Sequence, residues 1–186
     1  MTPIQTRIKK VSRIFRWLFQ ILFIVIPIVH ILAWINAPMP IDVSGKFGFF
    51  INVIPKGTEI LHPLSVSTRI YSGLVSAIPM LLLELIVYFL IRLFKLYEQG
   101  QIFSLQNVKY IKKTGYALLI FQIVRPLSDG FLTALLTWGN GHGHRYATIT
   151  VSGTDLSMVL TAFIIILVSW IMTEGCRLRE EQQLTI

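Results

Sequence analysis

The sequence predicts an all-α integral membrane protein, built as a four-helix transmembrane bundle with a small β-rich extracytoplasmic cap. Apolar residues make up 54% of the 186 residues and charged residues only 14%, whereas a soluble domain averages about 25% charged residues. The apolar residues also fall into four long runs, and each run approaches or exceeds the roughly 20 residues that a helix needs to cross a bilayer. The chain length suits a single membrane domain.

The four predicted spans alternate with polar connections. Pro27, Pro79 and Pro126 each lie inside a span, where neighbouring groups can satisfy the carbonyl that proline leaves free. The apolar run from Trp17 to Trp34 is too long for the core of a secretory signal, so we expect it to be retained as the first span. The spans are about 15–35, 70–94, 115–138 and 156–173, the outer loops 36–69 and 139–155, the cytoplasmic loop 95–114 and the cytoplasmic tail 174–186.

The distribution of basic residues predicts the orientation. Twelve of the 17 Lys and Arg residues lie before or at the start of the first predicted span, between the end of the second span and the third, or after the fourth. Basic residues concentrate on the side that is not translocated, so both termini and the middle loop are predicted in the cytoplasm. This pattern favours contact with lipid headgroups over nucleic acid. The twelve are Arg7, Lys9, Lys10, Arg13, Arg16, Arg92, Lys95, Lys109, Lys112, Lys113, Arg177 and Arg179.

The outer loops carry signals for β-structure. Phe49–Ile54 and Thr58–His62 flank Pro55-Lys56-Gly57, which is a turn signal between β-prone runs. Tyr146–Val151 alternates with a period of two residues. We therefore expect a hairpin in the first outer loop and a further strand from the second. Since an isolated hairpin is marginal in water, it should pack on the helix ends.

Ionisable side chains inside the predicted spans form the main candidate site. A charge near the bilayer centre costs roughly 2.5–3.5 kcal/mol and so needs a partner or a water-filled pocket. At 1.5 Å per residue, Glu84 and Arg125 should lie at similar depth on neighbouring spans, with Asp129 one turn from Arg125 and Gln122 on the same face. Two interpretations stay open for this intramembrane polar cluster. It either fixes how the helices pair, or it binds a ligand or handles protons.

Other patterns give weak evidence of chemistry. His142 and His144 alternate in a glycine-rich run, but a zinc site needs three or four ligands, so a solvated loop is favoured over a metal site. Nothing matches a nucleophile–base pair, a phosphate-binding loop or a dinucleotide fingerprint. The sequence therefore predicts neither an enzyme nor a cofactor. The single Cys176 cannot form a disulfide within the chain.

The middle loop and the tail carry recognisable motifs. We expect Gly100 to end the second helix in the left-handed conformation and Ser104 to cap the third. The stretch Leu96–Ser104 with Asn107, and the ending Leu178–Ile186, resemble a bacterial membrane family, domain-of-unknown-function family 2975. The tail is either a frayed helical extension or a docking segment. The family-like positions include Gly100, Phe103, Ser104, Asn107, Leu184, Thr185 and Ile186.

The resemblance implies a four-pass protein of the bacterial inner membrane, often encoded beside a small helix-turn-helix regulator, and it brings no catalytic residues. The first hypothesis is a regulatory or sensory partner of that cytoplasmic transcriptional regulator, with no direct contact to nucleic acid. The alternative is a small transporter, channel or immunity-type protein that uses Glu84, Arg125 and Asp129. A structural subunit of a larger complex is a third option, and homo-oligomerisation stays open.

Overall fold

Four long helices make up the chain. The computed structural model describes residues 3–35, 54, 55 and 57–184, and all regular structure in these residues is helical. The helices, numbered in chain order, are α1 (Pro3–Ile35), α2 (Val66–Glu98), α3 (Leu105–Thr137) and α4 (Gly153–Leu184).

Each helix is long and apolar enough to cross a membrane. The four candidate spans contain 30 to 33 residues, which at 1.5 Å per residue corresponds to about 45–50 Å. The hydrocarbon core of a bilayer is only about 30 Å thick, so the helix ends extend beyond it. Pro27, Pro79 and Pro126 lie inside α1, α2 and α3, as predicted. The multi-pass prediction is confirmed at this level.

The described residues fall into two compact units. Unit 1 takes those within Met1–Phe23, Leu82–Ile120 and Gly153–Ile186, and unit 2 takes those within Ile24–Leu81 and Phe121–Ser152. In unit 1, the ring of Phe94 packs against Phe15 and Phe19, with centroids 5.2 and 5.5 Å away. The buried core of unit 2 consists of Trp34, Leu64, Leu132 and Leu136.

Two helical glycines allow close packing, one in each unit. A Cβ on Gly115 of α3 would lie 2.7 Å from Ile166 Cγ1 of α4. A Cβ on Gly130 would lie 2.8 Å from Ile149 Cγ1 in the segment after α3. A larger residue at either position would push these neighbours apart, as expected where small residues bring membrane helices together.

The ends of α2 and α3 are built as predicted. Gly100 has a φ of +85°, a left-handed conformation that stops α2 after Glu98. The backbone N–H of Asn107 donates to Ser104 Oγ at 3.3 Å, so Ser104 caps α3. At the start of α2, Ser65 Oγ accepts a hydrogen bond from the N–H of Thr68 at 3.1 Å.

The predicted β-rich cap is wrong for the described residues, because neither Thr58–His62 nor Tyr146–Val151 forms a strand. Instead, side chains form hydrogen bonds with backbone groups in and beside these segments. The Tyr146 hydroxyl accepts a hydrogen bond from Glu59 N–H at 2.8 Å and donates one to Gly57 O at 2.9 Å. Thr148 N–H donates to Thr133 Oγ1 at 2.9 Å. Groups satisfied in this way need no strand ladder. Residues 49–53 lie outside the described residues.

Candidate functional site

The residues of the predicted intramembrane cluster are divided between the two units. Glu84 is buried on α2 in unit 1, and neither of its carboxylate oxygens accepts a hydrogen bond from the described residues. Gln122 is buried on α3 in unit 2, and its Oε1 likewise has no such partner. Arg125 and Asp129 are half-buried, one turn apart on α3. A direct contact of Glu84 with Arg125 or Asp129 stays a prediction.

A buried hydrogen-bond network joins α1 and α2 within unit 2. Trp34 Nε1 donates to Ser76 Oγ at 2.8 Å, and Ser76 Oγ donates to Gly73 O at 3.1 Å. His30 Nε2 lies 3.4 Å from both Gly73 O and Ser76 Oγ. Sequence reasoning did not find this network. The available signal was the four-residue spacing that puts His30 and Trp34 on one face.

An apolar groove of about 540 Å³ lies beside this network, lined by α1 and α2. This volume falls within the range of roughly 300–1,000 Å³ that is typical of small-molecule sites. Arg69 supplies a cationic group, and its Nε is buried without a hydrogen-bond partner in the described residues. The groove was not predicted. Its lining includes Pro27, His30, Trp34, Arg69, Gly73 and Ala77.

The family-like residues of unit 1 build the turn between α2 and α3. Asn107 is fully buried, and its Nδ2 donates to Gln101 O and, at 2.9 Å, to Ile102 O. Gly100 and Ser104 complete the turn through the left-handed backbone and the helix cap. Phe103 has a different role, because 66% of it is exposed. The structure thus combines three residues that fix the turn with one that the turn displays.

An ion-pair cluster lies at the end of α2. Glu98 accepts hydrogen bonds from Arg13 Nε at 2.7 Å and Arg16 Nε at 2.8 Å. The charge distribution predicts these arginines only as topology signals, because a pairing across more than 80 residues leaves no local pattern.

A polar cleft of about 230 Å³ lies in the same region of unit 1. Arg92 and Lys95 line it, and none of its described lining residues carries a carboxylate. Among the described residues, neither of these two side chains makes an ion pair. The cleft is therefore electropositive. The remaining lining residues are Leu96, Gln99, Gln101, Gln106 and Tyr110.

The remaining candidates have little organisation around them. His142 and His144 are exposed, and no group of three potential metal ligands occurs among the described residues. The tail continues α4 as a helix to Leu184, with an exposed ion pair of 3.2 Å between Arg177 and Glu181. Thr185, Ile186 and the side chain of Leu184 lie outside what the structure describes.

Comparison with known proteins gives one match. Residues 59–186 match the family described as Protein of unknown function (DUF2975). The chain belongs to this family. No curated protein and no solved structure matches the chain significantly. The match to DUF2975 includes α2, α3 and α4, and with them the turn, the cleft and the tail.

Proposed function

We propose that this DUF2975 protein is a regulatory membrane partner that binds a cytoplasmic helix-turn-helix regulator through the turn between α2 and α3. The observation that carries the proposal is the display of Phe103 on a turn that Asn107 holds in place. An exposed aromatic ring on a preformed surface suits partner binding, because aromatic residues dominate binding energy and a rigid site loses little entropy.

Charge supports the same surface. Arg92 and Lys95 line the neighbouring cleft, which has no carboxylate among its described lining residues, while Arg13 and Arg16 of α1 pair with Glu98. An acidic segment of the regulator would complement this cleft, and complementary charge favours both encounter and correct register. The positive-inside rule predicts that this end of the helices faces the cytoplasm, which is where a DNA-binding regulator would act.

The tail offers a second contact in this proposal. The exposed end of α4 carries the Arg177–Glu181 pair, and the apolar ending Leu184–Ile186 follows it. A short apolar segment after a charged helix can act as an anchor for a partner groove. The protein then acts by holding or releasing the regulator, without catalysis of its own.

Co-purification from detergent extracts tests this function. The regulator encoded beside the gene should co-purify with the intact protein, less with Phe103→Ala, and least when Phe103→Ala is combined with deletion of residues 183–186. Phe131→Ala is the matched control, because Phe131 is 69% exposed but lies on α3 in unit 2. Equal recovery with all variants, or no recovery with the intact protein, would contradict the proposal.

One observation favours the alternative of a small transporter, channel or immunity-type protein. The buried carboxylate of Glu84 has no hydrogen-bond partner among the described residues, and ionisable groups within spans often mark ion or proton pathways. Proton flux into liposomes would then fall with Glu84→Gln and with Arg125→Gln. It would not fall with Glu174→Gln, which changes an exposed carboxylate. If the proton flux is unchanged in both Glu84→Gln and Arg125→Gln, the cluster does not have this function.

A further inference from the structure

The apolar groove of unit 2 has a charged end and an apolar end. Arg69 lies in the first turn of α2, where Ser65 Oγ caps the helix. Exposed helix N-termini carry partial positive charge. From Arg69, the groove follows α2 past Gly73 and Ala77 to Met80. Arg69 and Met80 are eleven positions apart, which at 1.5 Å per residue is about 16 Å along the helix axis. The groove thus has the polarity of an amphiphile with an anionic head.

The guanidinium of Arg69 makes few hydrogen bonds to the residues that the structure describes. Its Nε is buried and has no hydrogen-bond partner in the described residues. Its Nη1 reaches only Ile35 O, at the long distance of 3.5 Å. No described carboxylate pairs with it. A buried donor without a partner is costly, and an anion at this position would provide the missing acceptor and the opposite charge.

The rest of the groove suits an acyl chain. Gly73 and Ala77 leave space along α2, and the Trp34 ring is held in place by its hydrogen bond to Ser76 Oγ. Ile31, Ile70 and Leu74 line the groove and are each more than half exposed. Since these residues belong to membrane-spanning helices, the groove opens toward the lipid. The bilayer itself would therefore supply the occupant.

We propose that this groove binds one anionic phospholipid, with its phosphate on Arg69 and one acyl chain along Gly73 and Ala77. The positive end of α2 and a guanidinium that has no carboxylate partner among the described residues favour a headgroup with net negative charge over a zwitterionic one. The site lies in unit 2, apart from the turn proposed for the regulator, so either proposal can fail without the other.

Lipid titration of the purified protein tests this site. Thermal unfolding and native mass spectrometry in mild detergent would compare phosphatidylglycerol with phosphatidylcholine of identical acyl chains. A lipid that binds only the folded state raises the unfolding temperature. Phosphatidylglycerol should stabilise the wild type more strongly, and Arg69→Gln should weaken its binding about tenfold by removing a charge-assisted contact. Ala77→Phe, which fills the groove, should reduce binding of both lipids.

Arg7→Gln is the control, because it removes the same charge from an exposed residue near the start of α1. It should keep the wild-type preference for phosphatidylglycerol. If Arg69→Gln does not fold, Arg69→Lys provides the measurement. It retains the charge without the Nε donor, so it should bind phosphatidylglycerol more weakly than wild type while still preferring it.

Three results would overturn the proposal. The first is that Arg69→Gln prefers phosphatidylglycerol over phosphatidylcholine as strongly as wild type does. If Arg69→Gln does not fold, the same result for Arg69→Lys would count. The second is lipid binding unaffected by Ala77→Phe. The third is binding of palmitate at the groove without binding of phosphatidylglycerol, which would identify a free fatty acid as the occupant.

Discussion

Two buried asparagines hold the connections at the two ends of α3, and they do so in different ways. Asn107 in unit 1 donates to the carbonyls of Gln101 and Ile102, six and five residues earlier. Asn140 in unit 2 bonds to Leu61 N–H and Glu59 O, 79 and 81 residues away. The first asparagine stabilises a local turn, whereas the second ties together segments that are distant in the chain.

The difference bears on stability and on function. A turn held by neighbours keeps its shape through local bonds, so its surface is available to a partner. Segments held by long-range bonds depend on the packing of the whole unit, and they should open only with larger unfolding events. The three substitutions below test this distinction, from the largest expected effect to the smallest.

Asn140→Ala should have the largest effect on stability. It removes the bonds to Leu61 N–H, Glu59 O and His144 O from a side chain that is only 2% exposed. These three hydrogen bonds are partly buried, and at about 1 kcal/mol for each bond their loss should cost about 3 kcal/mol in total. Unfolding by SDS in mixed micelles measures the loss. Gln182→Ala, at an exposed tail position, is the control, and an equal loss in both variants would refute the long-range role.

Asn107→Ala should destabilise the turn by about 2 kcal/mol, because two carbonyls lose their donor. The change should be local. Hydrogen exchange measured by mass spectrometry should accelerate in residues 99–108 and remain at the wild-type rate in residues 57–62. Acceleration in both segments would show that the turn is not an independently stabilised element.

Glu98→Gln should have the smallest effect, at most about 1 kcal/mol, because partly exposed ion pairs contribute little. Added salt should reduce the difference between variant and wild type, since it screens the pairs with Arg13 and Arg16. Glu181→Gln breaks a more exposed pair and should be neutral. If Glu98→Gln lowered the free energy of unfolding more than Asn107→Ala does, the ion pairs with Arg13 and Arg16, and not the turn, would be the main stabilising contacts at the end of α2.

Local features of the fold could be predicted from the sequence. The four spans follow from hydropathy, and the end of α2 at Gly100 and the cap of α3 at Ser104 follow from the conformations these residues favour. The strand predicted for Tyr146–Val151 was wrong because a period of two records side-chain alternation only. It does not reveal that Thr133 would satisfy the N–H of Thr148.

Features that depend on how distant helices pack were harder to predict. The groove at Arg69 and the pairing of Glu98 with Arg13 require positions that no local pattern specifies. The same reason leaves the contact between Glu84 and Arg125 a prediction, because it depends on the rotation of two helices about their axes. At that site the structure describes the burial of Glu84 and Gln122, whose side-chain oxygens have no hydrogen-bond partner among the described residues.

Site-specific photo-crosslinking in cells most directly tests the role of the turn. A photoreactive phenylalanine analogue at position 103 should form a cross-link to a cytoplasmic helix-turn-helix regulator, the partner proposed above. The same analogue at position 131, which is similarly exposed on α3, should give none. A regulator cross-link from position 131 and not from position 103, or from neither, would contradict the account.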